Sequence, residues 1–542
     1  MKFWLYPALL FFLVFGWFAS SVSDFRFFDD DYGAAFCASQ CNSLGDFLSF
    51  FSSNHNDKTI MPSNYLESFE AKADSTTYRP LTLCWYKFVS LLLDVHQPFN
   101  FFLLGIFLHA LLCLLLFFIF SRFISPWYSF WAVLLFGLFP FCGKFIGRFV
   151  IQPYSLGMIL ISLAYLFFSN LKLRMLSFIL MFSAMLMHEA FLSSIFLFLF
   201  LIVCDEYKLF YSDKKLFLRN ILNASAPLVI TVLFYFMIKL MVYGVSFEQQ
   251  SFLSVFLHKL KYRFYDFVTL VLDILGYSFL PNKVAFLKIG LILFDAALFI
   301  CLVIFAGFSW FFWSLCGLFA VNLWPSILVM HVSRYLYFSM PFLLLAVFWV
   351  YEQRLVSSKC PFAVFLRIVL ILKLTALLIF GAFQVRADLG FLQNKFVFVD
   401  NAIKTFASSE HVALGKCEKL MFIGLPFDYF PVSGFAQAIW LYSKNNNLKI
   451  YYDPLHTVHF DSLNSLPQDN FSIVEHSFEN RIKFKVTSGS VLLQNPFGFK
   501  TNYSLGRCDA LSNSELNFLV DYKFVPYCLF GWDNLAKKII PL

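Results

Sequence analysis

Three consecutive carboxylates stand in the stretch SDFRFFDDDYGAAF, where Asp29, Asp30 and Asp31 follow the first strongly apolar run of the chain. Adjacent carboxylates repel one another and resist burial, so an apolar chain is expected to gather them only where negative charge or a base is useful. A carboxylate within reach of a hydroxyl group can accept its proton. At least one of the three is therefore a candidate general base, and another is a candidate for positioning an acceptor.

Further ionisable residues lie at the edges of later apolar stretches or just inside them: Arg79 in TTYRPLTLCW, His109 in GIFLHALLCLLL, Lys144 and Arg148 in FPFCGKFIGRFVIQPY, His188 and Glu189 in AMLMHEAFLSS, and Arg334 in MHVSRYLYFSMP. Each of them alone is compatible with a structural role, such as an interfacial anchor or a core histidine. Together, carboxylates and guanidiniums from five separate junctions predict one shared polar face. Arginine neutralises a phosphate leaving group and a carboxylate takes a hydroxyl proton, so the set indicates transfer from a phosphate-bearing lipid.

The composition of the chain is that of a polytopic membrane protein. It has 542 residues, is 60% hydrophobic and 14% charged, contains 78 Phe and has a mean hydropathy of +0.72. A soluble domain could not bury that much apolar surface. The net charge of +8 does not indicate nucleic-acid binding, because most basic residues flank apolar stretches as topological anchors and no basic stripe accompanies them.

Eleven apolar stretches have the length and composition expected of membrane-spanning helices. They cover residues 3–20, 99–121, 127–142, 151–169, 173–188, 190–204, 220–243, 286–306, 309–329, 335–351 and 362–382. The predicted fold is therefore mainly α, a polytopic helical bundle of about eleven spans. The first stretch has a second interpretation, a signal peptide cleaved after the small residues near Ala19, and both interpretations leave the three carboxylates on the outer face.

The distribution of basic residues predicts the orientation. With Lys2 in the cytoplasm, the inner loops collect ten Lys and Arg residues against four acidic ones, so residues 21–97 and everything after about 385 lie outside. Six cysteines then fall outside, and their even number permits disulfides whose pairing the sequence leaves open: Cys37, Cys41, Cys84, Cys417, Cys508 and Cys528. Cys37 and Cys41 have no His partner at ligand spacing, so we expect no metal site there.

The C-terminal tail is predicted to be a small extracytoplasmic α/β domain. It contains the strand-like runs KLMFIGLP, LKIYYD and RIKFKV, the last followed by TSGS as a turn and VLLQN as a partner strand. We therefore divide the chain into a transmembrane catalytic domain at 1–384, whose first outer loop covers about 21–97, and an extracytoplasmic domain at 385–542.

Five stretches resemble, in order, the motifs of the multi-spanning glycosyltransferases of the C superfamily (GT-C), which use lipid-phosphate-linked sugars. Within it the chain looks most like the transmembrane O-mannosyltransferases with tetratricopeptide repeats and their bacterial relatives. RFFDDDYGA resembles the first-loop Asp-Asp motif, and TTYRPLT with FLHALLCLLL resembles the Tyr-Arg-Pro-Leu and helix-histidine pattern. LFGLFPFCGKFIGR resembles the Phe-x-x-x-Pro…Gly-Arg stretch, MHEAF a Lys-Glu motif, and SRYLYFSMP the Arg-Tyr-Leu-Tyr motif. The chain differs in having His188 where Lys is frequent, Gly105 where Asn is common, and no helical repeat in its tail.

The resemblance implies a hexosyltransferase that moves a sugar from a polyprenyl-phosphate or dolichyl-phosphate donor to a hydroxyl of a protein or glycan, with inversion at the anomeric carbon. Asp29 would be the general base, Asp30 its neighbour in the acceptor or donor site, and Glu189 would shape the catalytic pocket. Arg334 and Arg148 would hold the donor phosphate. The scheme requires no divalent metal and no nucleic-acid partner. Supporting roles would fall to Arg79, His109, His188 and Tyr335.

Two other classes of function remain open from the sequence. A multi-span transporter or lipid flippase would place charges near mid-membrane and show paired halves with broken helices. A non-catalytic membrane protein would instead use its outer tail to bind a partner. The Phe-rich composition favours a bacterial inner membrane, with the site and the C-terminal domain in the periplasm.

Overall fold

The protein is described from a computed structural model in which the chain is mainly helical. The structure describes residues 2–21, 25–27, 30–49, 51, 79–144, 146–168, 170–200, 202–203, 213–243, 271–272, 274–275, 277, 285–329, 336–409, 419–422, 432–443, 449–452, 471–477, 481–486, 506–512, 515–520, 528–533 and 538–541. The chain forms two compact units. Unit 1 consists of Met1–Ser23 and Phe102–Phe391, and unit 2 of Asp24–Phe101 and Leu392–Leu542.

Helices account for most of the described chain, and proline starts several of them. In order they are α1 (Lys2–Ala19), α2 (Asp30–Gln40), α3 (Leu44–Ser49), α4 (Pro80–Leu92), α5 (Pro98–Phe120), α6 (Pro126–Gly137), α7 (Gln152–Phe168), α8 (Arg174–Met187), α9 (Lys214–Tyr243), α10 (Ala285–Ala306), α11 (Trp310–Val329), α12 (Leu336–Val350), α13 (Pro361–Ala407) and α14 (Val432–Ser443). Pro80, Pro98, Pro126 and Pro361 each occupy the first helical position, where their missing N–H leaves no bond unmade.

Six helices of the described chain are long and apolar enough to cross a membrane, which is compatible with the predicted membrane protein. They are Pro98–Phe120, Phe149–Phe168, Lys214–Val242, Phe286–Ala306, Leu336–Leu355 and Pro361–Ala407. Shorter apolar helices of 10–17 residues are Trp4–Ala19, Arg174–Met187, Glu189–Phe200 and Trp310–Leu323. A helix suits this environment because it satisfies its backbone polar groups internally. The count of eleven spans and their orientation stay predictions.

Helix α13 continues past residue 384, where the sequence placed a domain boundary. Val385, Leu389, Phe396, Val399 and Ile403 recur at helical spacing and are buried, so an amphipathic helix is the favoured local structure here. The division of the chain at 384 and 385 therefore falls inside a helix. The two predicted domains stay a prediction.

The connection between α6 and α7 is an irregular segment that packs closely on α5. It contains two 3₁₀ helices, Pro140–Lys144 and Phe149–Ile151, separated by Gly147 with a φ of +96° that favours glycine. A Cβ atom on Gly105 of α5 would lie 2.6 Å from the Cα of Gly147, so the two backbones touch. This approach presses the turn that carries Arg148 against the helix that carries His109.

The described strands of unit 2 form two four-stranded sheets. The strands are β1 (Lys419–Phe422), β2 (Lys449–Tyr452), β3 (Phe471–Ser477), β4 (Arg481–Val486), β5 (Gly506–Ser512), β6 (Glu515–Val520), β7 (Cys528–Asp533) and β8 (Lys538–Pro541). One sheet has the order β2-β1-β7-β8, with β1 parallel to both neighbours and β7 antiparallel to β8; the other, β3-β4-β6-β5, is antiparallel. β1, β2 and β4 lie in three of the predicted runs, and VLLQN lies outside the described residues. The extracytoplasmic α/β domain stays a prediction.

Candidate functional site

The acidic triplet is described only in part. Asp29, Arg334 and Tyr335 lie outside the described residues. Asp30 is the first residue of α2. Asp31 follows it and is 1% exposed. One of the three predicted carboxylates is therefore buried inside unit 2.

The two predicted arginines within the described residues each precede a helical segment. Arg79 is the N-cap residue of α4 and is half-buried in unit 2. Arg148 is the N-cap residue of the 3₁₀ helix Phe149–Ile151 and is half-buried in unit 1. Lys144 ends the preceding 3₁₀ helix. The roles predicted for Arg79 and Arg148 stay predictions.

Aromatic contacts join three of the predicted junctions inside unit 1. Tyr154, in the first turn of α7, has its ring centroid 4.6 Å from that of His188. The Tyr154 ring also stacks on Phe338, in the first turn of α12, at 5.6 Å and an interplanar angle of 9°. Phe191 contacts Phe338 at 4.9 Å. We call Tyr154, His188, Phe191 and Phe338 the junction cluster.

The junction cluster brings together helix ends that are far apart in sequence. Arg148 precedes Tyr154 by six residues, and Glu189 follows His188 directly. The helix that holds Phe338 is the one that follows Arg334 in the chain. Three helix ends thus lie close together in unit 1: those near Arg148 and Glu189, and the start of α12. A shared site would require this proximity.

His188 is the N-cap residue of the 3₁₀ helix that begins at Glu189. Its Nδ1 accepts a hydrogen bond from the backbone N–H of Ala190 at 3.0 Å, and this bond starts the 3₁₀ helix Glu189–Ser193. The imidazole is buried, whereas the Glu189 side chain is 26% exposed, with Oε2 3.9 Å from His188 Nδ1. A histidine that accepts a backbone bond here positions the turn, and the carboxylate beside it keeps access to solvent.

His109 is held in a closed hydrogen-bond network next to the junction cluster. Its Nε2 lies 3.0 Å from the carbonyl oxygen of Gly137, which can only accept, so Nε2 carries the proton of a neutral imidazole. Nδ1 then accepts from the Tyr337 hydroxyl at 2.7 Å, and Tyr337 Oη also lies 3.2 Å from Ser155 Oγ. The network ties α5, α6, α7 and α12 together, so His109 is a structural member of this region.

No protein-family model matches the chain, and no curated protein is significantly similar to it. The site is therefore interpreted from its own residues. Within the described residues, no group of three or more His, Cys, Asp or Glu side chains could hold a metal ion. The expectation that the reaction needs no metal stays a prediction.

A small apolar cavity lies beside the junction cluster. Its volume is about 60 Å³, and its lining includes Phe191 and Phe338 together with Pro341, Ser193 and Asn322. Ser193 and Asn322 are bonded to each other, with Ser193 Oγ donating to Asn322 Oδ1 at 2.6 Å. Ligand pockets are usually at least about 300 Å³, so this cavity does not hold a sugar donor by itself.

Two buried carboxylates are paired with cations and were missed by the sequence reasoning. Asp295 of α10 has Oδ2 2.6 Å from Lys373 Nζ of α13, and Lys373 also donates to the Tyr277 hydroxyl. Both charges lie near the middle of predicted spans, and an acid and a base at the centres of two apolar stretches were the signal available in the sequence. The second carboxylate, Asp400, contacts residues more than 360 positions earlier and has no local sequence signal.

Proposed function

We propose that the protein is a membrane glycosyltransferase that moves a sugar from a polyprenyl-phosphate donor to an acceptor hydroxyl on the outer face, with inversion. The observation that carries this proposal is the junction cluster, because polar groups at separate helix ends can act on one substrate only if those ends converge. Tyr154, His188 and Phe338 supply that convergence for three of the predicted junctions.

In the proposed reaction, the acceptor oxygen attacks the anomeric carbon as the bond from that carbon to the lipid-phosphate oxygen breaks. Asp29 takes the hydroxyl proton, a step worth roughly 10²–10⁴ in rate, and the electron pair of the broken bond goes to the phosphate. Arg148 and Arg334 stabilise the charge that develops on the phosphate. Glu189 shapes the pocket, and its partial exposure supports a place at the substrate.

The proposal is tested with purified protein and a panel of polyprenyl-phosphate sugars, by measuring release of the lipid phosphate. At least one donor is expected to release lipid phosphate faster than in a protein-free blank. Arg148→Gln should raise the apparent KM for that donor, because a charge-assisted contact to phosphate is lost. Arg122→Gln is the matched control, since Arg122 lies over the Tyr165 ring at the predicted inner side. Equal effects of the two substitutions would remove Arg148 from the donor site.

A second candidate function, a transporter or lipid flippase, is favoured by the pair of Asp295 and Lys373. Charges near the middle of apolar helices are typical of substrate and ion pathways. The two candidates differ in whether a covalent bond breaks. In liposomes, movement of a labelled polyprenyl-phosphate sugar between leaflets without release of lipid phosphate would favour transport and contradict transfer.

We further propose eleven spans, an outer location for the first loop and for residues 385–542, and a bacterial inner membrane as the setting. The excess of Lys and Arg in the predicted inner loops supports this orientation. Maleimide labelling of single cysteines tests it, because His96→Cys should react from outside the cell and Lys359→Cys only after permeabilisation. The reverse pattern would invert the topology.

A further inference from the structure

The residues on either side of the acidic triplet both reach one buried carboxylate in unit 2. Arg26 lies three residues before Asp29, and Tyr32 directly follows Asp31. The Tyr32 hydroxyl donates to Asp400 Oδ1 at 2.7 Å, and Arg26 Nε lies 3.4 Å from Asp400 Oδ2. The chain before the triplet and the chain after it are therefore attached to the same side chain of α13.

Two further side chains, Tyr442 and Lys404, contact the carboxylate oxygens of Asp400. The Tyr442 hydroxyl of α14 also donates to Oδ1, and Lys404 Nζ lies 2.7 Å from Oδ2 one helical turn along α13. Oδ1 thus accepts from two phenols, and Oδ2 faces two cations. We call Arg26, Tyr32, Asp400, Lys404 and Tyr442 the Asp400 network.

The two phenols are permanent donors in the Asp400 network. Burial raises the pKa of Tyr32 well above its ordinary value, and the neighbouring Tyr442 and Asp400 raise it further. Burial likewise raises the pKa of Tyr442, with the Asp400 charge as the next cause. Both hydroxyls therefore stay protonated at any pH at which the protein would work.

Apolar contacts hold the same segment against α13 and α14. The ring of Phe25 lies 5.1 Å from that of Phe396, one turn before Asp400 on α13. The ring of Phe36, on α2, lies 5.4 Å from that of Trp440 on α14. The segment is thus fixed by ring contacts near both of its ends and by polar contacts next to the triplet.

We propose that Asp400 is a positioning residue for the acidic segment Asp29–Asp31: it fixes the chain on both sides of the segment and does not touch the substrate itself. This inference rests on the proposed function, in which the segment supplies the general base. A misplacement of about 1 Å costs roughly 100-fold in rate, so loss of this anchor acts on kcat. The KM for the donor stays unchanged, because the proposed phosphate contacts are made by other residues.

The test uses full-length protein in detergent and substitutions of graded severity. Asp400→Asn removes the negative charge that faces Arg26 and Lys404 and places an amide N–H₂ group beside them. Tyr32→Phe removes one hydroxyl while keeping the ring. Tyr442→Phe is the matched control, because it removes a hydroxyl from the same carboxylate oxygen on the α14 side and keeps the ring that packs on Tyr32. Arg26→Gln and Arg26→Lys form a second pair, in which only lysine keeps the charge facing Asp400.

The first readout is hydrogen–deuterium exchange of the backbone amides of residues 25–36, which does not depend on activity. Tyr32→Phe and Arg26→Gln should raise exchange there about tenfold or more, with Tyr442→Phe and Arg26→Lys close to wild type. Asp400→Asn should raise it further. The second readout is lipid-phosphate release, where Tyr32→Phe should lower kcat by roughly 10–100-fold with an unchanged donor KM.

The outcomes separate this inference from the proposed function. Wild-type exchange at residues 25–36 in folded Tyr32→Phe and Arg26→Gln proteins would overturn the anchoring by Asp400. Raised exchange with unchanged kcat would overturn the link to catalysis. Absence of lipid-phosphate release by wild-type protein would reject the proposed function, while the exchange measurement would still decide whether Asp400 holds the segment.

Discussion

Separating Asp295 from Lys373 should destabilise the protein more than replacing both. Their charged atoms are 2.6 Å apart, and their side chains are 6% and 13% exposed. Removing one member of such a pair leaves a buried charge without its counter-ion, which typically costs about 3–5 kcal/mol. Lys373→Met leaves the buried Asp295 carboxylate without its counter-ion. Its Oδ1 atom already has no hydrogen-bond partner among the described residues.

The double variant Asp295→Leu with Lys373→Met removes both charges and fills the space with apolar side chains of similar size. Such replacements of a buried pair are often neutral or stabilising, so the double variant should recover most of what either single variant loses. The losses of the two single variants should therefore be strongly non-additive in the double variant. Tyr277→Phe removes one hydroxyl next to Lys373 and should cost only about 1 kcal/mol.

The assay is the fraction of detergent-solubilised protein that stays monodisperse after heating, compared at one temperature for the four forms of the cycle. Heating of membrane proteins is commonly irreversible, so the ranking of the variants is the measured quantity. The expected order is wild type and double variant above both single variants. A double variant less stable than either single variant would mean that the losses add and would refute the pairing.

Three smaller predictions concern other described residues. Gly105→Ala should lower stability by about 1–3 kcal/mol, since its methyl group would lie 2.6 Å from the Cα atom of Gly147. Gly290→Ala is the control, because a methyl group there meets open space and should be neutral or slightly stabilising. Equal melting of the two variants would contradict the close approach of the backbones. Tyr337→Phe removes the donor to His109 Nδ1 and should cost about 1–3 kcal/mol in the same heating assay, so an unchanged profile would argue against the network. Burial raises the pKa of the Cys84 thiol to about 11. Alkylation of Cys84 should therefore be slow at pH 8 and should become faster with each pH unit up to about pH 11. An alkylation rate that is the same at pH 8 and pH 10 would contradict this.

The sequence predicted helices well because apolar length is a local property. The stretches at 99–121 and 286–306 differ from the observed α5 and α10 by one residue at each end or less. Helix α13 was harder, since polar residues begin near Val385 and look like the end of a span, although the buried positions Leu389 and Phe396 keep the helical period.

The polar contacts were harder to predict because they depend on where distant helices meet. Asp295 and Lys373 are recognisable as charges at the centres of apolar stretches, and their opposite signs could have suggested the pair. The approach of Tyr154 to His188 and the attachment of Asp400 to the first loop follow from packing, which no local pattern encodes. Residue types alone suggested the candidate chemistry at Asp29, which stays a prediction.

We propose that the acidic segment supplies a base for sugar transfer from a lipid phosphate. The most direct measurement is lipid-phosphate release by Asp29→Asn protein in the presence of a sugar donor that the wild type accepts, with Asp94→Asn as a control carboxylate in the same predicted outer loop. The proposed mechanism predicts a loss of roughly 10²–10⁴ in rate for Asp29→Asn with wild-type expression and heat stability, and little change for Asp94→Asn. Wild-type release by Asp29→Asn would contradict it.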